Sequence, residues 1–274
     1  MVSSTIPTLT HVIDSPNQSL TAVTSLDDDI FVLRSHSRQV EVYNARTFAL
    51  QRSIALPAMI LQSRSLTACA RNNCLYASDG HKNAIHRVRL SGVNAVKMWS
   101  VAEDPAGLSV NKAHNVVVAC RGADKIQEYT TRGTLVREIS LEHAGVTDPW
   151  HAVQLSTGDY VVSHCTSPGV VIVVGVDGQV VHSYDQSQSS DVEPMDDPRS
   201  LAVTKNGDVL VADDSNYRIL SMNSSLSSAQ VLSLSVDDGI QYPCGLCLDE
   251  LRGRLYVSEW CGERRVLVFD NVRL

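Results

Sequence analysis

The stretch "GDVLVADDSNYRIL", residues 207–220, carries the reading of the fold. An apolar run over 209–212 reads as a strand, a break of Asp, Ser and Asn follows, and a second strand opens at Arg218. The same plan recurs in "GDYVVSHCTSPGVVIVV" (158–174) and "GRLYVSEWCGERRVLVF" (253–269). Upstream of these pairs, strands open after Asp-Pro at Asp104, Asp148 and Asp197, with Pro243 in the same role. Segments from Asn17 and Ser63 align without the proline. The anchors 17, 63, 105, 149, 198 and 243 are separated by 46, 42, 44, 49 and 45 residues. That is the length of a four-stranded propeller blade.

Each unit repeats the same parts: an apolar strand ("LAV"), a tight turn ("KNGD", "STGD", "LDDD") and an alternating strand ("VLVA", "YVVS", "LYVS"). A polar loop, a third strand and a fourth ("TLVREIS", "QVVHSY") follow. Period-two alternation with Gly, Asn and Asp punctuation predicts an antiparallel meander, and helical periodicity is absent. The last unit stops after its third strand, while "TLTHVID", residues 8–14, stands where a fourth strand stands before the later units. The expectation is an all-β, six-bladed propeller in one domain, 1–274, with residues 8–14 completing the last blade. Closure of this kind removes the free edges of an open array.

Composition bounds the function classes. Of 274 residues, 43% are hydrophobic and 19% charged, which fits a globular chain with a substantial core. The formal charge of −7 argues against a protein that coats a phosphate backbone. No apolar run reaches membrane-spanning length, and the N-terminal stretch has no basic and apolar signal pattern. Seven cysteines, scattered and mostly within apolar strands, suit reduced thiols and a cytoplasmic protein, and the propeller itself is expected to be monomeric. Cys244-x-x-Cys247 lacks the second pair or histidine that a zinc or redox site needs.

The residues also carry a resemblance. Val211, Asp213, Asn216, Arg218 and Ile219 match the NHL repeat, and "DPRSLAVTKNGD" matches the segment before it. Val257, Arg265 and Val266 match in the last blade, and "VVVACRGADKIQEY" in the third. The first two blades follow by spacing. The chain thus resembles the C-terminal NHL propeller of tripartite-motif ubiquitin ligases. The resemblance implies binding of a protein or RNA, with ubiquitin transfer located elsewhere in a longer protein, since nothing resembles a RING finger, B-box or coiled coil. Asn216 and Arg218 are expected to be structural, Arg218 tying its loop to Asp213.

Loops before the first strand and between the second and third share one propeller face. The first group brings Arg64, Trp150, His151, Arg199 and Cys244; the second brings Arg34, His36, Arg38, His81, Lys82, Arg121, His164, Tyr217 and Trp260. Basic residues lean toward the first three blades and acidic ones toward the last three. The candidate partner-binding set is Trp150, His151, His164, Arg199, Trp260, Arg121, Arg64 and Tyr217, a composition typical of binding hot spots. The plainer alternative makes Trp150 and Trp260 plugs in the seams between blades. A protein partner is favoured, with room for RNA on the basic half.

An enzymatic reading, a lyase or lactonase with a metal in the channel, needs convergent ligands. The aligned first-strand openings, read as Ser19, Ser65, Gly107, His151, Ser200 and Gly245, offer one strong ligand. Asp79, Asp213 and Glu259 near the pore are the calcium candidates. No catalytic residue, metal or cofactor is therefore expected.

Overall fold

The structure, a computed structural model, describes residues 7–14, 18–56, 63–91, 96–165, 169–184, 192–234 and 239–272. Its strands form six four-stranded antiparallel sheets, each running from an inner first strand to an outer fourth. The inner strands are Leu20–Leu26, Leu66–Cys69, Pro105–Val110, Pro149–Gln154, Pro198–Val203 and Pro243–Asp249. They line a central channel of about 250 Å³. The N-terminal strand Thr8–Asp14 pairs antiparallel with Arg265–Asp270 as the outer strand of the last blade, so the ring closes as the sequence predicts. Among the described residues the only helical pieces are two single 3-10 turns, Arg121–Ala123 and Glu142–Ala144. No described helix is long and apolar enough to cross a membrane.

The core lies between the blades. Six apolar clusters fill the six seams, for example Val161, Val173, Leu201, Val211 and Leu220 between blades four and five. Second strands are buried on both faces, as Val116–Cys120 and Val209–Asp213 show. Their continuous apolar runs follow from that position, and each fully buried Val or Leu contributes about 1.5–3 kcal/mol.

Most of the inner strands carry the same irregularity. The register shifts one step inside the strand, at Leu20/Ala22, Pro105/Leu108, Pro149/His151, Pro198/Leu201 and Pro243/Gly245. A bulge of this kind bends the strand and re-aims the extra residue. With Leu20 as the first anchor, the residues after the anchors are Thr21, Arg64, Ala106, Trp150, Arg199 and Cys244, and in blades one, four and six Thr21, Trp150 and Cys244 are the extra residues of the bulges. Blade one corrects the sequence alignment. Its inner strand starts at Leu20, so Ala22 rather than Ser19 matches Ser65, Gly107, His151, Ser200 and Gly245. Without a proline, nothing in the sequence marks that start. The expected anchor Asn17 lies outside the described residues.

The Asp-Pro dipeptides also do more than turn the chain. Asp104, Asp148 and Asp197 hold φ of 51°, 53° and 61°, a left-handed conformation that Asp tolerates better than most residues. The carbonyls of Asp104 and Asp197 accept hydrogen bonds from Arg121 and Asp214 N–H, which pins the second loop to the first. The carboxylates reach arginines.

Candidate recognition site at the channel mouth

Trp150, the bulged residue of blade four, is half-buried at the mouth. Three guanidiniums surround its indole: the Cζ atoms of Arg121, Arg199 and Arg64 lie 4.8, 5.0 and 5.7 Å from the ring centroid. Each such contact is worth about 0.5–1 kcal/mol when exposed and more when desolvated. The arginines come from blades two, three and five. Aspartates brace them: Arg64 bonds Asp104 at 2.7 Å, Arg121 lies 3.8 Å from Asp104 and 3.4 Å from Asp148, and Arg199 bonds Asp197 at 2.7 Å. Arg199 also lies 3.5 Å from Asp214, whose carboxyl burial pushes up to about 6 despite that neighbour. The Asp-Pro turns therefore build the cationic collar of the mouth.

Beside the collar opens a cavity of about 290 Å³, lined by Arg64, Trp150, Arg199, Trp260, His36 and Ser63 among others. Trp260 is 38% exposed, and its backbone N–H donates to the Tyr242 carbonyl. Neither Trp150 nor Trp260 plugs a seam. The third tryptophan, Trp99, does so, packing between Tyr76 and Tyr129 of blades two and three.

Four of the eight candidates, Trp150, Arg64, Arg199 and Trp260, share the cavity, and Arg121 lies on the Trp150 ring. His151 sits deeper. Leu201 N–H donates to its Nδ1 at 2.9 Å, so Nε2 carries the proton and donates to the Leu108 carbonyl at 3.1 Å. Burial lowers its pKa to about 4, which keeps the ring neutral. Ser65 and Ser200 do the same work at the matching positions, accepting from Leu108 and Leu246 N–H at 3.0 Å. His151 is thus a large member of a set of stitches between inner strands. Gly107 must be small because a Cβ there would meet the His151 ring at 2.5 Å. His164 is buried opposite Pro149, and Tyr217 is an exposed ring packed edge-on against Tyr242 at 4.7 Å.

The calcium candidates do not converge. Asp79 bonds His86 at 2.9 Å, Asp213 bonds Arg218 at 2.7 Å and Glu259 bonds Arg265 at 2.8 Å, each under its own loop. No group of three or more His, Cys, Asp or Glu among the described residues is placed to hold a metal. Cys244 and Cys247 are free thiols with separate partners, Ser258 and Ser25.

The sequence reading missed Thr21, Ser35 and Ser63, which also line the cavity. Thr21 falls in one column with Arg64, Trp150, Arg199 and Cys244 only once Leu20 replaces Asn17 as the first anchor, which no sequence signal gives.

No family model matches the chain, and no curated protein matches it. Solved structures do. The chain is similar to a streptogramin B lyase at 10% identity and TM-score 0.69, over 95% of this chain and 96% of that one. It is also similar to virginiamycin B lyase from Staphylococcus aureus at 11% identity and TM-score 0.66, over 95% and 87%. A third, hydrazine synthase from Kuenenia stuttgartiensis, aligns at 14% identity and TM-score 0.68 over 96% and 99%. At such identities the likeness establishes the six-bladed propeller and nothing finer. These neighbours are not tripartite-motif proteins, so the NHL resemblance stands on its motif residues alone.

Proposed function

We propose that this chain is a recognition module that grips a protein partner through the channel mouth. The observation that carries the reading is the Trp150 indole held half-exposed among three guanidiniums beside an open cavity. Aromatic and arginine side chains fixed on a rigid frame supply apolar area and oriented donors at little entropic cost on binding. The lyase chemistry of the structural neighbours favours a second reading, enzymatic turnover at the channel. It is the weaker one, because Asp79, Asp213, Glu259 and His151 are each engaged with other groups of the fold.

The test is capture of partners from a lysate by this chain, with and without nuclease, followed by affinity measurement on Trp150→Ala. Trp150→Ala should weaken partner binding by about 2 kcal/mol or more while the protein still melts as the native one does. Capture that nuclease abolishes would move the reading to RNA. A large fall in melting temperature would make Trp150 a packing residue.

A further inference from the structure

The mouth cavity has a chemically one-sided wall. Among the described residues its charged lining groups are Arg64 and Arg199, and no carboxylate lines it. The aspartates that orient these arginines, Asp104, Asp197 and Asp214, stand outside that lining. Arg64 uses one terminal nitrogen on Asp104, and Arg199 uses Nε and one terminal nitrogen on Asp197. Each guanidinium has five N–H donors, so both keep donors in hand.

A second observation is independent of the arginines. Ser63 lines the same cavity, is 6% exposed, and its hydroxyl has no hydrogen-bond partner among the described residues. A buried hydroxyl without a partner costs stability, so its persistence calls for a ligand or solvent group that completes it. Arg64, Arg199 and Ser63 thus line one small space together with Trp150 and Trp260.

We infer that this cavity receives the carboxylate of an Asp or Glu side chain from a protein partner, with a neighbouring apolar side chain against Trp150 and Trp260. The inference rests on the recognition reading and names its ligand. A planar monoanion suits guanidinium forks that are partly used. A phosphate dianion fits less well, because Asp104, Asp197 and Asp214 hold negative charge around the same guanidiniums. A nucleic acid would need a continuous basic track, and this cavity has two arginines among its described lining residues. At about 290 Å³ the space is at the small end for ligand pockets and suits one or two side chains.

The experiment selects short random displayed peptides on the full chain and measures a synthetic lead peptide in solution. The expected result is an acidic residue beside an aromatic or aliphatic one. Replacing that acid by its amide in the peptide, or making Arg64→Ala in the protein, should each weaken binding about tenfold or more. The two changes together should weaken it little further, because they remove one interaction. Ser63→Ala should weaken binding severalfold with an unchanged or raised melting temperature, which separates ligand contact from folding. Arg64→Lys should restore only part of the affinity, since it keeps the charge and loses the fork. Peptides that depend on Trp150 but carry no acid would overturn the carboxylate and leave the recognition reading intact. Selection of no peptide, or capture of a random RNA pool dependent on Arg64, would overturn the inference. Failure of lysate capture as well would remove the recognition reading with it.

Discussion

Two arginine–aspartate clusters, one under the blade-five loop and one at the mouth, use the same chemistry to different ends. Under the loop, Arg218 Nε bonds Asp213 at 2.7 Å and its terminal nitrogen reaches the carbonyls of Glu193 and Pro194. Asn216 donates to Asp213 and to the Pro194 carbonyl, both at 2.9 Å. Asp213 is fully buried. That cluster is closed upon itself and locks the loop. At the mouth, Arg64 and Arg121 share Asp104 while Arg199 pairs with Asp197, and all three lie against an indole and keep donors in hand. The residues that match a family motif serve the fold here, and the cluster that no motif describes is the one left available to a ligand.

The largest effect should come from removing the frame both clusters depend on. Deleting the strand Thr8–Asp14 leaves Arg265–Asp270 as an unpaired edge, and lock and mouth should fail together. Aggregation or loss of a cooperative thermal transition is the expected outcome. A deletion variant with the wild-type melting curve would show that ring closure carries no stability.

The comparison sharpens with single substitutions. Arg218→Ala leaves the Asp213 carboxylate buried and stripped of its cation, so about 3–5 kcal/mol of stability should be lost. Arg64→Ala should cost about 1 kcal/mol or less, because its pair is partly exposed and Asp104 keeps Arg121. Denaturant titration of the two variants checks the ordering. Equal losses would mean the mouth arginines are structural as well.

The sequence discloses these two regions unequally, for a physical reason. The lock is local: Asp213, Asn216 and Arg218 lie within one loop, so their tie is legible from spacing, as are the six blades and the closing strand. The mouth is assembled from four blades. Arg64, Arg121, Trp150 and Arg199 belong to different blades and meet only in the closed ring, and Trp150 and Arg199 also lie in bulged segments, which leave no sequence mark. Blade one is offset in the sequence alignment for a different reason: its inner strand begins at Leu20 with no proline to mark it. His151 read as a surface group because its stitching partners, Leu108 and Leu201, belong to neighbouring blades.

Asp214 offers a pH test of the mouth. Its carboxyl is buried, one oxygen lacks a partner among the described residues, and its pKa rises from 3.8 to about 6. A carboxyl with a folded value above its unfolded one binds its proton more tightly in the native state. Its contribution to stability is therefore full below about pH 4 and is lost as pH climbs toward about 6. Asp214→Asn should show its smallest advantage over wild type near pH 4, a growing one toward pH 6, and a constant one above. Melting curves of both proteins across that range decide the matter; a difference independent of pH would place the Asp214 titration elsewhere.

The smallest effect should be that of Tyr217→Ala. Tyr217 stands in sequence between Asn216 and Arg218 of the lock and three residues after Asp214 of the mouth, yet the structure gives it to neither cluster. Its ring is 47% exposed and does not line the mouth cavity. The edge-on contact with Tyr242 is worth about 0.5–1.5 kcal/mol at most, and exposure places it at the low end. The backbone works against large effects too, since φ of 55° is equally unfavourable for tyrosine and alanine. Stability should change by about 0.5 kcal/mol or less, and affinity for an acidic peptide held by Arg64 should stay within about twofold. A loss comparable to that of Trp150→Ala would extend the contact surface from the mouth across the loops of blades five and six. It would also mean that exposed aromatic area, rather than unused guanidinium donors, marks the surface that binds.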